Sequence, residues 1–143
     1  VAIKFNLPSI TAPVKTAKIT LSVMASQCEG TKICTLSVIT SDWISKECSW
    51  INASNTKPWI NRGGDFSRQD QSLGFAAKDG GIENYDITIS VNAFLNGNKT
   101  NYGFLLEPAA NTSEANYNPM IDHQYYSSEY PDIRLRPALI LEY

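Results

Sequence analysis

Apolar and polar residues alternate one by one along the first part of the chain. Val1, Ile3, Phe5 and Leu7 fall on one side of that alternation, and Ala2, Lys4 and Asn6 on the other. Pro8 and Pro13 bound a short polar link, after which Ile19, Leu21 and Val23 alternate with Lys18, Thr20 and Ser22. A turn at Glu29-Gly30-Thr31 separates this run, Ala17 to about Ser26, from a third that extends from Lys32 to Thr40. Cys34, Leu36 and Val38 form the predicted inner face of that third run. A repeat of two residues is the period of a strand with one buried face, so the opening of the chain predicts three strands.

From Asp42 to Gly81 the alternation loosens into Trp43, Trp50, Trp59 and stretches rich in Asn, Gly and Ser. This predicts a long loop or a set of short edge strands, with tight turns at Asn61-Arg62-Gly63-Gly64-Asp65 and Lys78-Asp79-Gly80-Gly81. A strand ending near Ile87 follows. Ile87, Val91, Phe94 and Leu95 then change the period to that of a helix, predicting about two turns. Thr88 is placed to cap its start and Gly97 to close its end in the left-handed conformation. Tyr102 to Glu107 alternates again and stops at Pro108. A polar loop from Ala109 to Asn118 precedes a strand over about Ile121 to Glu129. The last predicted strand runs from Ile133 to Tyr143 with Leu135, Pro137, Leu139 and Leu141 on one face, and Pro137 marks an edge or a bulge in it. Many short strands and one short helix predict an all-β chain, a jelly-roll-like β-sandwich.

Composition narrows the partners. The chain has 143 residues, one domain's worth, with 12 Lys+Arg against 14 Asp+Glu and a net charge of −2. That balance excludes a surface built to neutralise phosphates, so no nucleic acid is expected. No apolar run approaches the ~18 residues that span a bilayer, so no membrane insertion is expected. Only 18% of residues are charged, against roughly 25% in an ordinary domain. A surface of Asn, Ser and Thr in their place suits a secreted or cell-surface protein.

Candidate chemistry is sparse. His123 is the only histidine, so a zinc site of several imidazoles cannot be built. A Ser-His-Asp arrangement would need His123 as its base, yet Asp122-His123-Gln124-Tyr125-Tyr126 alternates like a strand and no GxSxG turn lies near it. The reading is a strand histidine in a chain that is not an enzyme. Cys28 and Cys34 bracket the Glu29-Gly30-Thr31 turn at a separation that a cross-hairpin disulfide accepts, but three reduced cysteines remain the alternative. Cys48, beside Ile44 and Trp50, reads as a buried thiol. Asn52, Asn98 and Asn111 begin glycosylation acceptor patterns, which acquire meaning only in a eukaryotic secretory setting.

An ordered set of short motifs carries a family resemblance. Phe5-Asn6-Leu7-Pro8 and Ala17-Lys18-Ile19-Thr20-Leu21 are followed by Asp42-Trp43, Ser49-Trp50, Trp59, Gly63-Gly64-Asp65 and Asp86-Ile87-Thr88. Then come Phe94-Leu95-Asn96-Gly97, Asn101-Tyr102-Gly103-Phe104-Leu105-Leu106, Ser127-Ser128-Glu129 and Leu135-Arg136-Pro137-Ala138-Leu139, ending in Tyr143. The succession resembles the DNRLRE-type domain, the group that includes carbohydrate-binding module family 96, over essentially the whole chain. The resemblance implies a β-sandwich module of a larger secreted protein, non-catalytic, with a polysaccharide as its partner. It also implies the alternative of a structural or adhesive unit. Family members have a further strand before the one matching Val1 to Leu7, which implies that a neighbouring segment, domain or subunit could supply one here.

The expected ligand contacts follow from exposed aromatics, amides and arginines. Trp43 and Trp50 sit where the family's recurrent tryptophans sit and are expected in the core. Trp59, beside Pro58, has the better claim to exposure and to stacking on a sugar ring, with Arg62 in the adjoining turn. Tyr125 and Tyr126 face opposite ways on one strand; if His123 and Tyr125 face in, Tyr126 faces out with Gln124, and the reverse register exchanges them. Tyr102 and Tyr117 border loops, Tyr102 being the one retained as a contact. Arg136 is expected to pair with Glu129, leaving Arg134 free to grip a sugar carboxylate. Asp65, Asp70, Asp79 and Asp86 lie in or near loops, but spacing alone cannot assemble the oxygen ligands calcium needs. No cofactor is expected, a structural calcium stays open, and no metal residue is assigned.

Overall fold

The computed structural model describes residues 1–9, 12–26, 33–108 and 123–143. Ten strands and one helix occur among them: β1 Ala2–Ile3, β2 Thr16–Ser26, β3 Ile33–Ile39, β4 Asn52–Ser54, β5 Lys57–Pro58, β6 Phe66–Phe75, β7 Ile82–Asp86, α1 Thr88–Leu95, β8 Phe104–Pro108, β9 His123–Tyr125 and β10 Ala138–Glu142. One sheet has the order β1-β8-β3-β6; the other has β10-β2-β7, with β9 pairing the far end of β2. Every pairing is antiparallel. The all-β sandwich with one short helix is the architecture that the alternation predicts.

Alternating side chains build the core between the sheets. Ala17, Ile19 and Leu21 of β2, with Tyr85 of β7, meet Leu36 and Val38 of β3 and Phe104 and Leu106 of β8. Val91 of α1 and Ile87 close against them, with Phe94 and Leu95 packed alongside. The helix therefore uses the predicted stripe, and Gly97 takes the left-handed φ of 76° at its end. Thr88 does not cap the start. Its N–H and hydroxyl both donate to Asp86 Oδ1, while its Oγ1 accepts the N–H of Ala17. A side chain committed across to β2 is the first helical residue instead.

Three expectations are corrected. Val1 to Leu7 does not make a long strand: only Ala2 and Ile3 pair with β8, although Ile3, Phe5 and Leu7 do pack on the core. Beyond Ile3 the ladder has no partner, because the chain turns at Gly103 (φ 93°) and the Asn101 side-chain amide takes the Phe5 carbonyl. Strand β6 lies where the alternation was lost. Its register slips between Val38↔Ser67 and Ser37↔Gln71, and residues looped out of an edge strand break the period of two. The last strand begins at Ala138, not Ile133. Residues Ile133–Leu135 form a 3₁₀ turn, started by the Asp132 side chain accepting the Arg134 N–H, and Pro137 separates turn from strand. The predicted turn at 29–31, the Cys28–Cys34 bridge and the loop at 109–118 fall wholly or partly outside the described residues.

A buried polar cluster interrupts the apolar core. The Glu83 carboxylate, on β7, accepts the Ala77 N–H and lies 2.8 Å from His123 Nε2 through Oε1. Its Oε2 accepts the hydroxyls of Tyr85 at 2.7 Å and Tyr125 at 2.8 Å. Burial pushes both phenols far above their ordinary value, helped at Tyr85 by the Glu83 carboxylate and at Tyr125 by the neighbouring Tyr85 and then by Glu83. Gly74 of β6 makes room for this cluster across the sandwich, since a Cβ there would stand 2.5 Å from Tyr85 Cε1.

Candidate binding site

Residues 40–65 fold against the outer face of the β1-β8-β3-β6 sheet. Leu105 alternates away from the core residues Phe104 and Leu106, and Ala2 away from Ile3. Both meet a second cluster of Ile39, Ala53 and Trp59, with Trp43, Cys48 and Tyr102 packed beside it. The sheet is thus covered on its outer side around β1, β8 and the end of β3, while Leu73 and Phe75 of β6 stay exposed. This excursion is organised by two buried groups, Asp65 and Trp59.

Asp65 ties the Asn61–Asp65 turn to the end of β3. Its carboxylate accepts the N–H of Ile60 at 3.1 Å and of Asn61 at 2.8 Å, and the Ser41 hydroxyl at 2.9 Å. Burial works to raise this carboxyl. The hydrogen bonds from the Asn61 and Ile60 N–H groups, then from the Ser41 and Asn61 side chains, outweigh it and hold the group below its ordinary value. The lone pairs that a calcium ion would use are occupied by donors. Asp79 and Asp86 likewise accept from Ser26 and Thr88, and no group of three potential metal ligands occurs among the described residues.

Trp59 and Trp50 sit on the two arms of the β4–β5 hairpin and face opposite ways. Trp59 is only 8% exposed; its Nε1–H donates to the Ser49 carbonyl and its N–H to the Ile51 carbonyl. The expectation that Trp59 is the exposed stacking residue is therefore overturned, because its arm lies against the sheet. Trp50 is 71% exposed, which overturns its assignment to the core. Its ring lies over Gly63: a Cβ at that position would stand 2.7 Å from Cη2 and 2.8 Å from Cζ3. The Gly63 N–H also donates to the Trp50 carbonyl at 2.7 Å. One face of the indole is thereby backed by the turn that Asp65 holds. Arg62 and Asn61 are exposed on that turn, and Ile51 and Ile60 present further apolar surface beside the two tryptophans in the chain.

The remaining expected contacts divide between the two sides of the sandwich. Tyr102 is half-buried in the second cluster, its carbonyl accepting the Trp43 Nε1–H at 2.6 Å, so it supports the excursion from beneath. Trp43 accordingly packs as expected. Cys48 is half-buried, not enclosed. Gln124 and Tyr126 lie on and beside β9 in the other sheet. There His123 and Tyr125 face inward, Gln124 is exposed, and the Tyr126 ring meets Tyr130 edge-on at 4.6 Å. Arg134 is not free: its Nε and a terminal nitrogen fork onto Asp132 at 3.0 and 2.8 Å, holding that carboxyl down at about 2. The expected Arg136–Glu129 pair is replaced by Arg136 Nε donating to the Tyr130 carbonyl at 2.6 Å. The turn at 130–135 brings both arginines to nearer partners than those expected. Of the expected contacts, only Arg62 shares the Trp50 surface. No family model, curated protein or solved structure matches this chain.

Proposed function

We propose that the chain is a carbohydrate-binding module that receives a polysaccharide on the Trp50 ring. The observation that carries this reading is an indole exposed on one face and backed on the other by Gly63. A sugar ring presents a row of C–H groups that packs on such a plate, and a plate fixed in advance loses little side-chain freedom on binding. The Arg62 guanidinium and the Asn61 amide supply hydrogen-bond donors at its rim. The test is affinity electrophoresis of the 143-residue chain through gels containing a panel of neutral and acidic polysaccharides. Retardation by at least one, relieved by Trp50→Ala, supports the reading. A chain that no polysaccharide retards, and that instead associates with itself as concentration rises, favours a structural or adhesive unit.

A further inference from the structure

Ser26 ends β2 and His123 opens β9, and the two residues are paired across the ladder. His123 Nδ1 lies 2.7 Å from Ser26 Oγ, and its Nε2 lies 2.8 Å from Glu83 Oε1. The direction of these bonds follows from Glu83. Its carboxylate already accepts from the Ala77 N–H and from the Tyr85 and Tyr125 hydroxyls. An acceptor in that setting favours the proton on Nε2; in the neutral ring Nδ1 is then the bare nitrogen, and the Ser26 hydroxyl is its donor.

We propose that Ser26 is an acyl-transfer nucleophile, with His123 as its general base and Glu83 as the residue that positions the imidazole. Hydroxyl to imidazole to carboxylate is the polarity that activates a serine, and it is recognised by geometry, not by order in the chain. Glu83 has no accessible side-chain surface and His123 has 9%. The imidazolium that forms when the hydroxyl proton is taken therefore faces a desolvated carboxylate held by three other donors. Ser26 itself is only half-buried, and its own N–H is fixed to Asp79 Oδ1. The substrate class is an ester of a small acyl group. Ser26 Oγ bonds to the ester carbonyl carbon as its proton moves to His123 Nδ1. The ester C–O bond then breaks and the leaving alcohol takes that proton. Water then bonds to the acyl carbon as one of its protons passes to Nδ1; the bond from that carbon to Ser26 Oγ breaks, Oγ takes the proton back from Nδ1, and the carboxylic acid leaves.

The test is intact-mass and peptide mapping of the protein after treatment with a fluorophosphonate, which bonds phosphorus to an activated serine and releases fluoride. It is paired with turnover of p-nitrophenyl acetate. A single adduct on Ser26 is expected, absent in Ser26→Ala. Ester turnover should fall to the buffer rate in the same variant, and folded His123→Gln should react at least ~10-fold more slowly. No adduct, an adduct elsewhere, or ester turnover unchanged in Ser26→Ala overturns the proposal. Should His123→Gln fail to fold, the Ser26→Ala comparison decides alone, since truncating a half-buried hydroxyl at a strand end leaves the core in place.

Discussion

Trp50 lies so close over Gly63 that a single added methyl group at residue 63 would occupy the space of the indole ring. Gly63 also holds a φ of 93°, a conformation that costs a side chain of order 1–3 kcal/mol. Gly63→Ala should therefore displace the plate without altering the tryptophan itself. Polysaccharide affinity should fall at least ~10-fold, or about 1.4 kcal/mol. The denaturant midpoint should drop as well. Binding isotherms and urea melts of the two proteins check both.

Gly74 offers the matching experiment in the core, where a Cβ would meet Tyr85 Cε1 at 2.5 Å and Cζ at 2.8 Å. Gly74→Ala should cost about 1–3 kcal/mol, the usual penalty for overfilling a packed interior. Because Gly74 lies in β6 and Trp50 belongs to the 40–65 excursion, folded Gly74→Ala should keep its sugar affinity. Urea melts and binding isotherms together separate the two effects.

The phenols of Tyr85 and Tyr125 donate into the buried Glu83 carboxylate and are raised far above their ordinary value, chiefly by burial. In the unfolded chain they would ionise near ~10. A raised folded value means that their contribution to stability is complete below the unfolded value and shrinks as pH rises past it. Tyr85 and Tyr125 should thus stay silent in the near-ultraviolet tyrosinate titration until the protein unfolds. Tyr125→Phe should reduce the silent number by one.

Asp65 shifts in the opposite sense. Its folded value lies below the unfolded one, so its stabilisation is present above about pH 4 and is lost as pH falls through the folded value. Asp65→Asn turns an amide toward groups that need an acceptor and should cost about 1–3 kcal/mol near neutrality. That penalty should shrink at an acid pH below about 4, because between the unfolded and the lowered folded value the wild type progressively loses the stabilisation of the same carboxylate. Urea midpoints at the two pH values measure the difference.

Strands β2 and β3 were legible because each turns one face to a shared core, and burial of that face imposes the period of two. The helix at Thr88–Leu95 was legible for the same reason at a different period. Strand β6 was not, since a slipped register at an edge leaves no regular face to read. Trp50 and Trp59 have similar neighbours in the chain. Which one is buried depends on which arm of the hairpin meets Leu105 and Ile39, a choice made by tertiary packing. Ser26, Glu83 and His123 are separated by up to 97 positions. Only the antiparallel pairing of β2 with both β7 and β9 brings them together, and no local pattern encodes that.

The excursion at 40–65 covers a face of the sheet that would otherwise meet solvent, and this has a mechanical consequence. Under the proposed function, tension on a polymer held at Trp50 would pass through the hairpin to Trp59, and from there into Ile39 at the end of β3 and Leu105 on β8. Those two strands are the inner pair of their sheet, hydrogen-bonded on both sides. Peeling the plate away would load the Ile39 and Leu105 packing on those inner strands, not an edge strand.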